Sequence, residues 1–251
     1  MVLSASRSPT GDPLVELERR VAIDGGRPFL TWYDLDRGLR TELSARTFAN
    51  WVDKSANLLV SMDVEEYPRV ANTVLASHPG HWVGLVWTMA VWQLGGQVLA
   101  VGRQELDVTD RLDAAVVGPQ DAHPVPGLET IACSLHPLGA GFEDHPSGVT
   151  DNVEVLSQPD VHWRVPAGRT ACFETNRLLY GWTDLALVEP SNERLLVIPG
   201  DDPWQTVCRT LVAPLLGGGS TVIVVGGDDR GIASVASQER ARHDRPQSAG
   251  E

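Results

Sequence analysis

The feature that most constrains this chain is a pattern that occurs twice, 122 residues apart as measured from Trp82 to Trp204. The first copy reads as a strand from Val70 to Ser77, a turn at His78-Pro79-Gly80, a helix from His81 to Leu94, Gly95-Gly96, and a strand from Val98 to Val101. The second reads as a strand from Arg194 to Ile198, a turn from Pro199 to Asp202, a helix from Pro203 to Leu216, Gly217-Gly218-Gly219, and a strand from Thr221 to Val225. Each tryptophan stands thirteen residues before the first glycine of its copy. Glycine accepts the left-handed backbone that closes a helix. Strand, helix, glycine, strand is the crossover that joins parallel strands. The sequence therefore predicts an α/β fold, a layered and mostly parallel sheet with its repeated units at 69–101 and 191–225.

The remaining segments fit around these units. Asp12-Pro13 opens a helix to about Val21, with Asp as cap and Pro at the first helical position. Phe29 to Tyr33 and Leu39 to Leu43 read as two short strands joined by a polar turn. Ser44 caps a helix whose apolar residues Phe48, Trp51, Val52, Leu58, Leu59 and Met62 recur at three- and four-residue spacing. Further strands are expected at Ala114 to Val117 and Glu129 to Leu135. Helices are expected from about Thr170 to Leu187 and from Asp229 to Arg242. The stretch from Gly139 to Gly168 reads as loop, with a short strand at Asn152 to Leu156. Residues 1–11 and 245–251 read as disordered tails around a single domain over 12–244.

The charge balance narrows the partners. With 20 basic against 33 acidic residues the formal charge is −13, and no basic stripe is present. Nucleic acid and anionic membrane surfaces are excluded as expected partners, because both are bound through clustered Lys and Arg. Cys133, Cys172 and Cys208 are too far apart for a zinc site or a disulfide framework. With no signal-peptide pattern and no long apolar run, the expected location is the cytoplasm. Lys54 is the only lysine, so any chemistry that needs one must use it. Its place on a polar helix face reads as a solvated surface residue.

Few residues are placed for chemistry. His78 and His81 flank a Pro-Gly turn at the carboxyl end of a predicted central strand, where open α/β sheets hold ligands. Asp201, Asp202 and Trp204 occupy the equivalent turn of the second copy. These five are the candidate ligand-binding residues. Helix capping by one Asp, and core packing of Trp82, Trp87, Trp92 and Trp204, are the structural alternatives. The triple glycine follows a helix, the wrong end for binding phosphate, and reads as a cap. No third ligand stands near the histidines, so no metal site and no catalytic residue are assigned.

The order of segments resembles a known family. Gly26-Arg27-Pro28-Phe29-Leu30-Thr31, the strand pair and Leu43 to Leu59 resemble the opening of the AMP-dependent synthetases and ligases, the adenylate-forming enzymes that include acyl-CoA synthetases. Val70 to Val101 and Arg194 to Val225 resemble two further units of the same enzymes' N-terminal part. More narrowly, the chain is similar to a small family of uncharacterised stand-alone proteins of high-GC Gram-positive bacteria. The resemblance implies an ATP and acyl site, but the residues depart from it. The family's Ser-, Thr- and Gly-rich loop ending in Pro-Lys, which wraps the ATP phosphates, falls near residues 160–172. Here that segment runs from Asp160 through Val161-His162-Trp163-Arg164-Val165-Pro166-Ala167-Gly168-Arg169 to Thr170, with one glycine and no lysine. The family's later segments, including its catalytic lysine, have no counterpart in this sequence.

Three readings follow. The first is a degenerate module that binds a small acyl or nucleotide ligand, or a protein partner, without catalysis and without a definite cofactor. The second is an active acyl-adenylating ligase with ATP or AMP bound through Arg164 or Arg169, in a noncanonical site or one completed by another chain. The third is an unrelated α/β protein that shares only the crossover pattern.

Overall fold

The computed structural model describes residues 11–109, 111–168 and 171–244. The two tails expected at 1–11 and 245–251 lie outside these residues, except for Gly11. Helix α1 (Pro13–Asp24) opens as its sequence predicts. The Asp12 carboxylate accepts from the Leu14 amide at 2.9 Å, and Pro13 follows the cap. Strands β1 (Pro28–Asp34) and β2 (Leu39–Ser44) pair antiparallel. Helix α2 (Ala45–Ser61) starts under the Ser44 hydroxyl and buries Phe48, Val52, Ala56 and Leu59 on one face.

The two predicted units lie in separate sheets. In the first, β3 (Arg69–Asn72) leads through a short helix α3 (Val74–Ser77) to α4 (Trp82–Gln93) and β4 (Gln97–Ala100). The predicted strand to Ser77 is thus too long. The chain leaves the sheet at Thr73, where the Ser77 hydroxyl bonds the Thr73 carbonyl at 2.9 Å and closes a helical turn. Helix α4 is apolar on all sides, and each of its twelve residues is buried, as a helix between two sheets must be.

Strands β5 (Ala114–Val117), β6 (Glu129–Ala132) and β7 (Thr150–Asp151) extend this sheet on one side. The expected strand at Asn152 to Leu156 is a 3-10 helix, Asn152–Ser157. The helix expected from Thr170 to Leu187 is mostly a hairpin. Within the described part it consists of β8 (Phe173–Thr175), β9 (Leu178–Tyr180) and a single turn α5 (Trp182–Leu185). Asn176 and Arg177 both take positive φ, 48° and 62°, and form the two-residue turn that reverses a β-hairpin.

The second unit runs from β10 (Arg194–Val197) through α6 (Pro203–Val207), a π-helical turn over Cys208–Val212 and α7 (Ala213–Gly217) to β11 (Ser220–Val225). Pro214 explains the interruption. It lacks the N–H that the Thr210 carbonyl would accept, and the Thr221 hydroxyl donates there instead, at 2.9 Å. Gly218, at φ +77°, ends the helix as expected. Helix α8 (Asp229–Gln238) and β12 (Arg242–His243) follow, so the last helix is shorter than predicted.

The strand order is β12-β10-β11-β1-β2 in one sheet and β7-β6-β5-β3-β4-β8-β9 in the other. All pairs are parallel except β1–β2 and β8–β9. The inner faces of both sheets share one core with α1, α2 and α4, in which Phe29, Ile223, Phe48, Leu59, Trp87, Val98 and Val116 are all fully buried. Helix α8 covers the outer face of the first sheet over Tyr33, Leu196, Val222 and Val224. Loops and 3-10 turns cover the outer face of the second over Ala71, Ala115 and Val117.

Candidate functional site

Strand order places the site. From β3 the chain crosses to β4 on one side, and from β4 it returns to β5 on the other. The loops after β3 and β5 diverge at this switch point and leave a crevice at the carboxyl edge. A cavity of about 570 Å³ lies there, and β1, β6 and β11 also contribute to its wall. Its polar lining includes His78, His81, Asp34, Arg37, Gln120 and Ser134. Trp32, Leu135 and Val225 are among its apolar surfaces.

The two histidines present opposite faces to a ligand. Ser77 donates to the Thr73 carbonyl, so its oxygen is the acceptor for His78 Nδ1, at 2.9 Å. That leaves His78 Nε2 as a bare acceptor. Burial, with a smaller effect from the Arg37 guanidinium, holds this imidazole below the usual histidine range, while Asp121 opposes the shift. His81 caps α4. Its Nδ1 accepts from the Val83 amide at 3.3 Å, which leaves the proton on Nε2. The ring is 4 % exposed and burial pushes it down to about 3, so it stays neutral.

The other three predicted ligand residues lie elsewhere. The two equivalent turns meet at Gly80, where a Cβ would stand 2.5 Å from Pro199 Cγ, and no residue of the second turn lines the cavity. Asp202 caps α6, accepting from the Trp204 and Gln205 amides at 2.9 and 3.2 Å. Asp201 is exposed. Trp204 is buried and stacks on Tyr180 with ring centroids 4.2 Å apart. Sequence reading missed Trp32, Asp34, Arg37, Gln120, Ser134 and Leu135. Most of them sit at or just beyond the ends of predicted strands, the signal that finds a crevice once strand order is known.

The segment expected from the resemblance near 160–172 is held down over its described first part. From α2, Asn57 donates to the Pro159 and Val161 carbonyls at 2.8 and 3.0 Å, and its oxygen meets His162 Nδ1 at 2.7 Å. Lys54 donates to the Leu156 and Gln158 carbonyls, so the lone lysine is half-buried and bonded, not solvated as expected. Gln93, at the end of α4, accepts from the Val165 amide at 2.8 Å and donates to Asp53 at 2.7 Å. Arg164 pairs with Asp12 at 2.7 Å, beside a smaller cavity of about 410 Å³ between α1 and α2. Arg169 lies outside the described residues. Among the described residues no group of three His, Cys, Asp or Glu side chains is placed to hold a metal. Among them, too, no helix is long and apolar enough to cross a membrane.

The arrangement of two mostly parallel sheets enclosing shared helices resembles the fold of the N-terminal domain of adenylate-forming acyl-CoA ligases. Solved structures carry this assignment. An acyl-CoA synthetase of Brucella canis superposes with a TM-score of 0.67 at 13 % identity over 92 % of this chain and 46 % of its own. The N-terminal domain of FACL13 from Mycobacterium tuberculosis gives 0.61 at 14 % identity, over 92 % and 61 %. An anthranilate CoA ligase, AuaEII, in complex with anthranoyl-AMP gives 0.63 at 16 %, over 95 % and 48 %. At these identities the likeness is one of fold. In sequence, the chain is similar to a Mycobacterium tuberculosis protein described as a TIGR03089 family protein, 35 % identical over 138 residues, which are 54 % of this chain and 55 % of that one. The chain spans about half the length of the relatives it matches. No protein-family model matches it.

Proposed function

We propose that this protein uses the adenylate-forming scaffold to bind a small ligand in the cavity beside His78 and His81, and does not form an acyl-adenylate. The observation that carries this reading is the pinned segment 156–165. A phosphate cradle needs backbone that is free to approach the phosphates with several amides at once. Here α2 and α4 already hold the segment through Lys54, Asn57 and Gln93. The Arg164 guanidinium is also engaged, by Asp12. An active ligase would have to break these contacts before ATP could bind. The cavity, by contrast, stands open at the position where the fold class holds ligands.

The test combines calorimetric titration with ATP, AMP and an acyl-CoA with an ATP–pyrophosphate exchange assay over a panel of carboxylates. The expected outcome is no exchange above the blank. Exchange with any carboxylate would sink the proposal.

A second reading, binding of a protein partner, draws on exposed leucines at the sheet edge. Leu178 and Leu179 on the edge strand β9 and Leu187 just beyond α5 are 58 %, 64 % and 81 % exposed.

A further inference from the structure

Two buried N–H donors of residues that line the cavity close no hydrogen bond. His81 Nε2 carries the ring proton, because Nδ1 accepts from the Val83 amide, and Nε2 forms no hydrogen bond. The Leu135 carbonyl lies close enough to favour the charged ring but closes no hydrogen bond of normal geometry. Trp32 Nε1, on the neighbouring wall, is also unpaired. The two rings are 3 % and 4 % exposed and meet edge to face with centroids 4.6 Å apart. An N–H held against a ring is a weaker arrangement than one held against oxygen. Buried donors without partners are rare and costly. Both residues line the cavity while the two nitrogens themselves are buried, so a ligand reaches them only with a movement of the wall. Arg37 and Gln120 form no side-chain hydrogen bond or ion pair among the described residues.

The chemistry of the wall selects the acceptor. His81 is neutral at physiological pH and Trp32 has no charge, and the Asp34 carboxylate and the Arg37 guanidinium in the same lining offset each other. An anion brought to these two donors loses its hydration against groups that carry no charge. A carbonyl oxygen is far cheaper to desolvate and has two lone pairs for two donors. Pro79, Pro119, Leu135 and Val225 supply apolar surface for the remainder of the molecule.

We propose that the cavity binds a small uncharged carbonyl compound with a flat apolar body, such as an aromatic amide or ketone, whose oxygen accepts from Trp32 Nε1 and His81 Nε2. This rests on the ligand-binding reading above and narrows it to one chemical class.

The experiment titrates 15N-labelled protein with benzamide, benzoate and toluene, and follows the indole N–H signals, with Trp32 assigned by its loss in Trp32→Phe. Benzamide is expected to move the Trp32 signal downfield and to bind at least about tenfold more tightly than toluene. His81→Asn keeps a capping oxygen for Val83 but withdraws the donor, because its amide nitrogen stands near the place of the ring's Cδ2 and short of Nε2, and should weaken benzamide by about tenfold. Benzoate binding more tightly than benzamide, toluene binding equally well, or an unmoved Trp32 signal would each overturn the proposal. If either variant fails to fold, the wild-type Trp32 shift and the ranking of the three probes still decide. Tight benzoate binding would remove this inference and leave the ligand-binding reading intact. Pyrophosphate exchange in the separate assay would remove the non-catalytic reading and leave the probe ranking untouched.

Discussion

His81 gives its two nitrogens different tasks, one capping α4 and one facing the cavity wall, and the same burial makes it a reporter of folding. The unfolded chain takes up a proton on this residue near pH 6.5, whereas the folded chain does so only near 3. Between those values the unfolded state holds more protons, so stability falls as pH falls, and the loss is complete below about pH 3. From pH 7 to pH 5 the expected contribution is about 2 kcal/mol. Urea denaturation of wild type and His81→Asn at a series of pH values checks it. The variant is expected to be less stable at pH 7, because its smaller side chain leaves space in the core, but to show a flatter dependence between pH 7 and pH 5. Parallel curves would mean that His81 is protonated in the folded protein. Residues such as this are legible one at a time. The spacing around Pro79-Gly80 marks His78 and His81, but nothing local to Trp32 or Arg37 indicates that β1 and its turn come to lie beside them.

At the scale of elements, the helix of the second unit depends on a substitution of one donor for another. Thr221, on β11, supplies the hydrogen bond that Pro214 cannot give to the Thr210 carbonyl, and all three groups are buried. Thr221→Val keeps the branched shape and removes the hydroxyl, which leaves a buried carbonyl unpaired. The expected cost is about 1–3 kcal/mol, read from the urea midpoint at unchanged slope. A loss under a few tenths of a kcal/mol would mean that water reaches Thr210. This device was not visible in the sequence, where 203–216 has the apolar period of one continuous helix and only Pro214 hints at a break. The β8–β9 hairpin was misread for a related reason. Apolar residues near Leu178 and Leu185 fit a helical period, but the left-handed pair Asn176-Arg177 overrides it, and only Asn is a recognised signal for that turn. Where the local signals agreed, as in the capped starts of α1 and α2 and the glycine after α7, the predicted and observed boundaries lie within about three residues of each other.

For the whole molecule, the repeat read from the sequence locates two crossovers, but not the fact that they lie in different sheets, because each copy's spacing describes only its own helix and strands. What joins the sheets is shared burial together with the meeting of the two turns. Gly80, at φ +74°, packs against Pro199 and Ile223, so a side chain there conflicts with the backbone and with both neighbours at once. A Cβ would lie 2.5 Å from Pro199 Cγ and 2.9 Å from Ile223 Cγ2. Gly80→Ala is therefore expected to cost about 2–5 kcal/mol, combining the left-handed penalty of about 1–2 kcal/mol with overpacking of about 1–3 kcal/mol. Because one core spans both inner faces, the loss should appear as a single transition, with tryptophan fluorescence and far-ultraviolet circular dichroism falling together. Two separated transitions would show that the sheets unfold independently and that Gly80 is only a local turn. The same turn borders the cavity, which Pro79 and His81 line on either side of Gly80. A relaxed turn in Gly80→Ala would therefore change access to the cavity as well as stability, and the benzamide titration of this variant measures the two effects in one protein.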